Sequence, residues 1–262
     1  MNKSIIVFCP NPYSIYTNSV CELLQQKGYS IDTIIVRKFT LNRFFNEFSR
    51  DGVRLLKKIW TKLFLKEKAY TVNENNVLAF RKDHGLTIKN IKAFQAGGTK
   101  LVYCGSLNDQ IVEDTLRQKK EKLIVFTGGG IVRKNILDLA GDGIINCHMG
   151  ILPKYKGMDL PEWCILEGEI DQLGITLHFM DTGIDTGDIL KTIKVPIGNN
   201  TDIKTLRSTF EPVMINAMVE TVEACLAGTA KPSPQPASEN RQYFIVHPRL
   251  YSLINKKIQK SS

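Results

Sequence analysis

The chain has 262 residues and a formal net charge of +9, with 43% apolar and 23% charged residues, the balance of an ordinary soluble globular protein. That length predicts one large domain, or one domain with a small appendage, and enough chain to bury a real core. No apolar run approaches the ~20 residues of a membrane helix, the opening MNKSIIVFCPNPYS reads as a first strand and not a signal peptide, and six scattered cysteines without a Cys-x-x-Cys pair predict free thiols in a cytoplasmic setting over structural zinc.

In chain order, Lys3 to Phe8 is a buried-type strand ended by Pro10 and Pro12. No glycine cluster follows it, so the dinucleotide fingerprint is missing where it belongs. Val20, Leu23 and Leu24 give Tyr16 to Lys27 a helical period that stops at Gly28. Ile31 to Val36 is a second strand. The opening is therefore βαβ, which predicts a doubly wound, mostly parallel α/β sheet.

Between Arg37 and Lys68 stand ten Lys/Arg and three Asp/Glu, so most of the net charge is local. Leu41, Phe44, Phe45 and Phe48, then Leu55, Leu56, Ile59, Trp60, Leu63 and Phe64, recur at three- and four-residue spacing. This predicts one or two amphipathic helices, broken near Gly52. Three readings stay open: a peripheral helix with a solvated basic face, a membrane-surface helix, and a docking face for phosphates or a partner.

Downstream, Asn73 to Asn76 reads as a loop and Val77 to Phe80 as a short strand. A short helix begins at Thr87, a plausible cap, and closes at Gly97-Gly98. Leu101 to Cys104 is a strand, Leu107 to Arg117 a helix, and Leu123 to Phe126 a strand leading into Gly128-Gly129-Gly130. A short helix over Lys134 to Leu139 precedes Gly143 to Cys147, expected as the central strand. Pro161 to Glu167 is a helix with Pro in its first turn. Gly174 to Met180 and Ile189 to Val195 pair antiparallel, and Thr201 to Leu226 is a long helix. Residues 1–228 form the main domain, with a basic helical insertion at about 39–68. Residues 229–262 form a linker and an extension with a Tyr243-to-Val246 strand and a basic final helix.

The chemistry concentrates after Gly143. Asn146 and His148 are two apart in a strand, so their side chains share a face. An amide donor beside an imidazole suits acyl transfer: the amide stabilises an oxyanion and the imidazole handles the proton. Asp185, from the next strand and loop, would favour the imidazolium and fix its tautomer, with Asp181 and Asp188 as competitors. His178 reads as a core histidine, and His84 and His247 as loop histidines without partners. No His-Glu-x-x-His or second histidine at ligand spacing supports a metal. The glycine triplet lacks the Lys-Ser/Thr of a phosphate loop, and serves better for close approach of backbone to a flat ligand.

Asn146-x-His148, Leu152-Pro153-x-Tyr155-x-Gly157, Gly168-Glu169, and Gly174-Ile175-Thr176-x-His178-Phe179-x-Asp181-x-x-x-Asp185-x-Gly187-x-Ile189 together resemble the 10-formyltetrahydrofolate-dependent formyltransferase family. The match runs from about Leu123 to Val195. The resemblance implies a Rossmann-like formyltransferase fold with an antiparallel strand pair and a short C-terminal extension. It implies 10-formyltetrahydrofolate as formyl donor and Asn146, His148 and Asp185 as the catalytic trio. It also implies a pterin pocket from Gly129, Gly130, Ile131 and Val132 with Met180, Asp181, Ile184 and Asp185. Two departures stand out: His148-Met149-Gly150 where the family has His-Pro-Ser, and Gly187-Asp188-Ile189 where it has Gly-Pro-Ile. Length favours the sugar N-formyltransferase branch, acting on a nucleotide-linked amino sugar for surface glycans. No nucleic-acid partner is expected on that reading. Tyr243 or Phe244 would either stack on the nucleotide or pack on the core, and a homodimer through the tail stays open. The alternatives are a methionyl-tRNA-type or purine-type formyltransferase, or a non-catalytic membrane-surface scaffold.

Overall fold

The computed structural model describes residues 4–38, 75–119, 122–200, 202–236 and 241–261. The basic stretch, apart from Arg37 and Lys38, lies outside the described residues, and so do the helices expected there.

The described chain forms β1 (Ser4–Cys9), α1 (Ile15–Gln26), β2 (Ile31–Arg37), α2 (Asn75–Asp83), β3 (Lys100–Cys104), α3 (Gln110–Arg117), β4 (Lys122–Phe126), α4 (Lys134–Leu137), β5 (Ile144–His148), β6 (Tyr155–Gly157), α5 (Leu160–Glu167), β7 (Gly174–Phe179), β8 (Ile189–Lys194), α6 (Ile203–Leu226), β9 (Arg241–Tyr243) and α7 (Tyr251–Ser261). Seven strands make one sheet in the order β3-β2-β1-β4-β5-β7-β8, and β6 pairs with β9 in a separate ribbon. The pairs from β3 through β5 are parallel, whereas β5–β7 and β7–β8 are antiparallel. The expected α/β fold is present. The middle strand is β4; β5, expected at the centre, marks the switch from parallel to antiparallel pairing.

Alternation along the strands builds the two layers. Ile5, Val7 and Cys9 face one core with Val20, Leu24, Phe210 and Met218 of α1 and α6. Ile6 and Phe8 face the other, with Val112 and Leu116 of α3 and Ile136 of α4. A strand buried on both faces has no polar side to show, which is why β1 reads as a continuous apolar run.

Three local expectations fail for identifiable reasons. Val77 to Phe80 is not a strand: Val77, Phe80 and Arg81 are buried while Leu78 is exposed, a helical three- and four-residue spacing inside α2. Thr87 does not cap a helix, because its N–H and hydroxyl, with the N–H of Ile88, bond to the Glu22 carboxylate of α1. A 3₁₀ helix begins later, at Ile91, behind an Asn90 cap, and ends at Gly98 in the left-handed region. The tail strand covers Arg241–Tyr243 instead of Tyr243 to Val246: beyond Tyr243, whose register partner is Gly157, the chain leaves the ribbon and exposes Phe244 and Ile245.

Candidate active site

Cross-strand register assembles the site. In the antiparallel β5–β7 pair, Asn146 lies opposite His178 and His148 opposite Thr176, and directly opposed residues project on the same face. The Asn146 Nδ2 donates to His178 Nε2 at 3.1 Å, and His178 Nδ1 donates to the Phe179 carbonyl at 2.8 Å. That second bond fixes the tautomer, since a carbonyl can only accept.

His148 is 6% exposed. Its Nε2 donates to the Tyr155 carbonyl at 2.9 Å, leaving Nδ1 turned to Asp185 Oδ2 at 3.5 Å. The tautomer of His148 is therefore set by the Tyr155 carbonyl, not by the carboxylate as the sequence suggested. Burial holds its pKa below the ordinary imidazole value; Asp185 and the Tyr155 contact pull upward, and Lys156 adds to the downward push. His178 is also held low, first by burial.

Asp185 reaches both rings. Its Oδ1 lies 3.7 Å from His178 Nε2, and its Oδ2 accepts the Gly157 N–H at 3.0 Å. It does so from a positive φ of 52°, uncommon for a residue with a side chain. The rival carboxylates do not take this place. Asp181 Oδ1 accepts from Gly183 N–H and the Thr186 hydroxyl within its own loop. Asp188 is exposed, and its backbone carbonyl accepts from Phe179 N–H.

The turn after His148 is tied by Thr176, whose hydroxyl donates to the Gly150 carbonyl and accepts from Leu152 N–H. A Cβ at Gly150 would lie 2.3 Å from Leu160 Cδ1 and 3.0 Å from both His148 Nε2 and the Tyr155 carbonyl oxygen. Glycine at this departure from the family pattern thus makes room for the imidazole.

A cavity of 150 Å³ opens beside His178 and Asp185, lined by these two with Ile131, Val132, Met180, Asp181, Gly183 and Ile184. Of the residues expected around a flat ligand, Ile131, Val132, Met180, Asp181, Ile184 and Asp185 line it. Gly129 and Gly130, expected there too, do not line it; both have positive φ, and a Cβ on them would meet Leu107 and Arg37 respectively at 2.9 Å. Ile131 and Ile184 are 82% and 56% exposed, so apolar surface stands open at the mouth.

A family model described as "Formyl transferase" matches residues 81–222, more than half of the chain, including Asn146, His148 and Asp185. The protein belongs to the formyl transferase family. Its similarity to a methionyl-tRNA formyltransferase of Pelobacter propionicus is 36% identity over 123 residues, covering 47% of this chain and 38% of that protein. The chain thus matches well under half the length of such curated relatives. Solved structures share the fold. The N-formyltransferase from Helicobacter canadensis, solved with folinic acid and dTDP-3-aminofucose, superposes with a TM-score of 0.58 at 18% identity, over 92% of this chain and 71% of that one. A phosphoribosylglycinamide formyltransferase from Anaplasma phagocytophilum gives 0.59 at 14% identity, over 92% and 97%.

Sequence reasoning missed His178 as a site residue. The signal available was its place in the motif Gly174-Ile175-Thr176-x-His178-Phe179-x-Asp181, at the end of the strand that leads to Asp185. His84 and His247 are partnered after all. His84 Nδ1 contacts the Phe80 carbonyl, and His247 Nδ1 accepts from Arg249 N–H. Tyr243 packs, stacked on Tyr155 at 5.2 Å with its hydroxyl on Glu167. The six cysteines are free thiols, and no helix among the described residues is long and apolar enough to cross a membrane.

Proposed function

We propose that this protein transfers a formyl group from 10-formyltetrahydrofolate to the amine of a nucleotide-linked amino sugar. The observation that carries formyl transfer is the convergence of Asn146 and His148, from β5, with Asp185, from the loop after β7, beside an apolar-mouthed cavity. At 150 Å³ the cavity is smaller than the roughly 300 Å³ of a whole small-ligand site, so it suits the pterin ring, with the rest of the folate running out over Ile131 and Ile184.

The amine attacks the formyl carbon, and the carbonyl π pair moves onto oxygen. One Asn146 N–H is committed to His178, and the other is free to meet the oxyanion. The proton lost by the amine is taken by the His148 Nδ1–Asp185 Oδ2 pair, and N10 of the departing folate takes it up as the C–N10 bond breaks. Formamide and tetrahydrofolate result.

The sugar acceptor is supported by the dTDP-3-aminofucose in the Helicobacter canadensis structure. Beside Gly157, which holds Asp185, stand Met158, Phe244 and Ile245, each more than half exposed. Such an apolar platform suits a nucleobase. A second reading, formylation of an aminoacyl-tRNA, is favoured by the identity to methionyl-tRNA formyltransferases. Incubation with 10-formyltetrahydrofolate and either UDP-, dTDP-, GDP- or CMP-linked amino sugars or methionyl-tRNA, read by mass spectrometry, separates the two. Gain of one formyl group on a sugar nucleotide is expected. Formylation of methionyl-tRNA with every sugar untouched overturns the sugar acceptor.

A further inference from the structure

The segment after α6 reads as a linker, yet it is sewn onto the site. Ser233 and Ile189 exchange both backbone hydrogen bonds, at 2.8 and 2.9 Å. Two residues on, Gln235 Nε2 donates to the Asp185 carbonyl at 3.0 Å and to the Gly187 carbonyl at 2.7 Å. One side-chain amide thus bridges the two turns that carry the carboxylate. Both are tight: Asp185 has a φ of 52°, and a Cβ on Gly187 would fall 1.9 Å from the Phe179 carbonyl oxygen.

Farther along, the same tail grips the other support of Asp185. The Gly157 N–H that bonds Oδ2 belongs to β6, whose ribbon partner is β9. Met158 N–H donates to the Tyr243 carbonyl at 3.2 Å, and Gly157 fits there only without a Cβ, which would lie 2.2 Å from the Tyr243 oxygen.

We infer that Gln235 is a positioning residue, and that the chain after α6 braces Asp185 at its backbone through Gln235 and at its carboxylate through β9 and Gly157. The inference rests on the reading of Asp185 and His148 as a proton-handling pair. A left-handed residue that carries a side chain persists only when its surroundings hold it, and a displacement of about 1 Å at a reacting group can cost about 10²-fold in rate. The groups facing His148 are Asp185, which favours its charged form, Lys156, which opposes it, the Tyr155 carbonyl, and the His178 ring at 6.2 Å. Of these, Asp185 is the one whose backbone Gln235 holds.

The test uses the full chain carrying Gln235→Met, which keeps the length and removes the donor, and Gln235→Asn, which withdraws the amide by one methylene. Circular dichroism confirms folding, and NMR follows the His148 imidazole as it titrates. Loss of the brace weakens the pull of Asp185, so the His148 midpoint moves to lower pH and kcat for formyl transfer drops by tenfold or more. A folded variant with the wild-type midpoint and the wild-type rate overturns the brace. Asp185→Asn is measured in parallel: full activity there removes the proton-handling reading itself, whatever Gln235 does.

Discussion

Asn146 donates one amide hydrogen to the unprotonated Nε2 of His178 across the β5–β7 pair, 3.1 Å away. An amide can flip, and only one of its two orientations presents N–H groups. His178, with its own proton held on the Phe179 carbonyl, selects that orientation. His178→Ala should free the amide and lower kcat by about 10-fold or more, with the roughly 10²–10³ that a lost oxyanion donor costs as the upper limit. His178→Gln, whose side-chain oxygen also accepts, should retain most of the activity. Steady-state kinetics of the two variants decide it; equal losses in both would argue against orientation of the amide.

Removing the donor itself is the sharper change. Asn146→Ala should reduce kcat by about 10²–10³ while the melting temperature stays near wild type. Full turnover in that variant would take Asn146 out of the chemistry.

Both site histidines are held below their ordinary pKa by burial. The unfolded chain then gains protons near pH 6.5 while the native protein stays neutral there, so stability falls as the pH drops from about 6.5 toward the folded midpoints. Each histidine contributes a slope of at most about 1.4 kcal/mol per pH unit within that window. Denaturant midpoints between pH 7.5 and 5 measure it. His178→Gln should flatten the fall, and an unchanged slope would show that this ring does not contribute.

Gly150→Ala should cost about 1–3 kcal/mol as an overpacked turn, because its Cβ meets Leu160, His148 and the Tyr155 oxygen. Leu160 can yield by rotating; the backbone of Tyr155 cannot. The imidazole is therefore the group displaced, and activity should fall further than stability. Chemical denaturation and kcat measured on one preparation compare the two.

The glycine-free turn after β1 illustrates what could and could not be read directly. Pro10 and Pro12 ended the strand as expected, and the helix that follows is capped by Ser14, whose hydroxyl accepts from Thr17 N–H. The apolar runs of β1, β2 and β4 were legible because each strand is buried on both faces and shows no polar side. Val77 to Phe80 misled because four consecutive apolar residues fit either period, and only contact with neighbouring helices chooses between them.

Local period and a dense motif were enough to read the layered α/β class, the strand carrying Asn146 and His148 on one face, and the candidate carboxylate. Tertiary structure alone decided that His178 stands opposite Asn146, that the Tyr155 carbonyl sets the His148 tautomer, and that Gln235 reaches back 50 residues to Asp185. Each of these is a hydrogen bond between segments brought together by strand register or chain return, and no property of either segment alone encodes the partner.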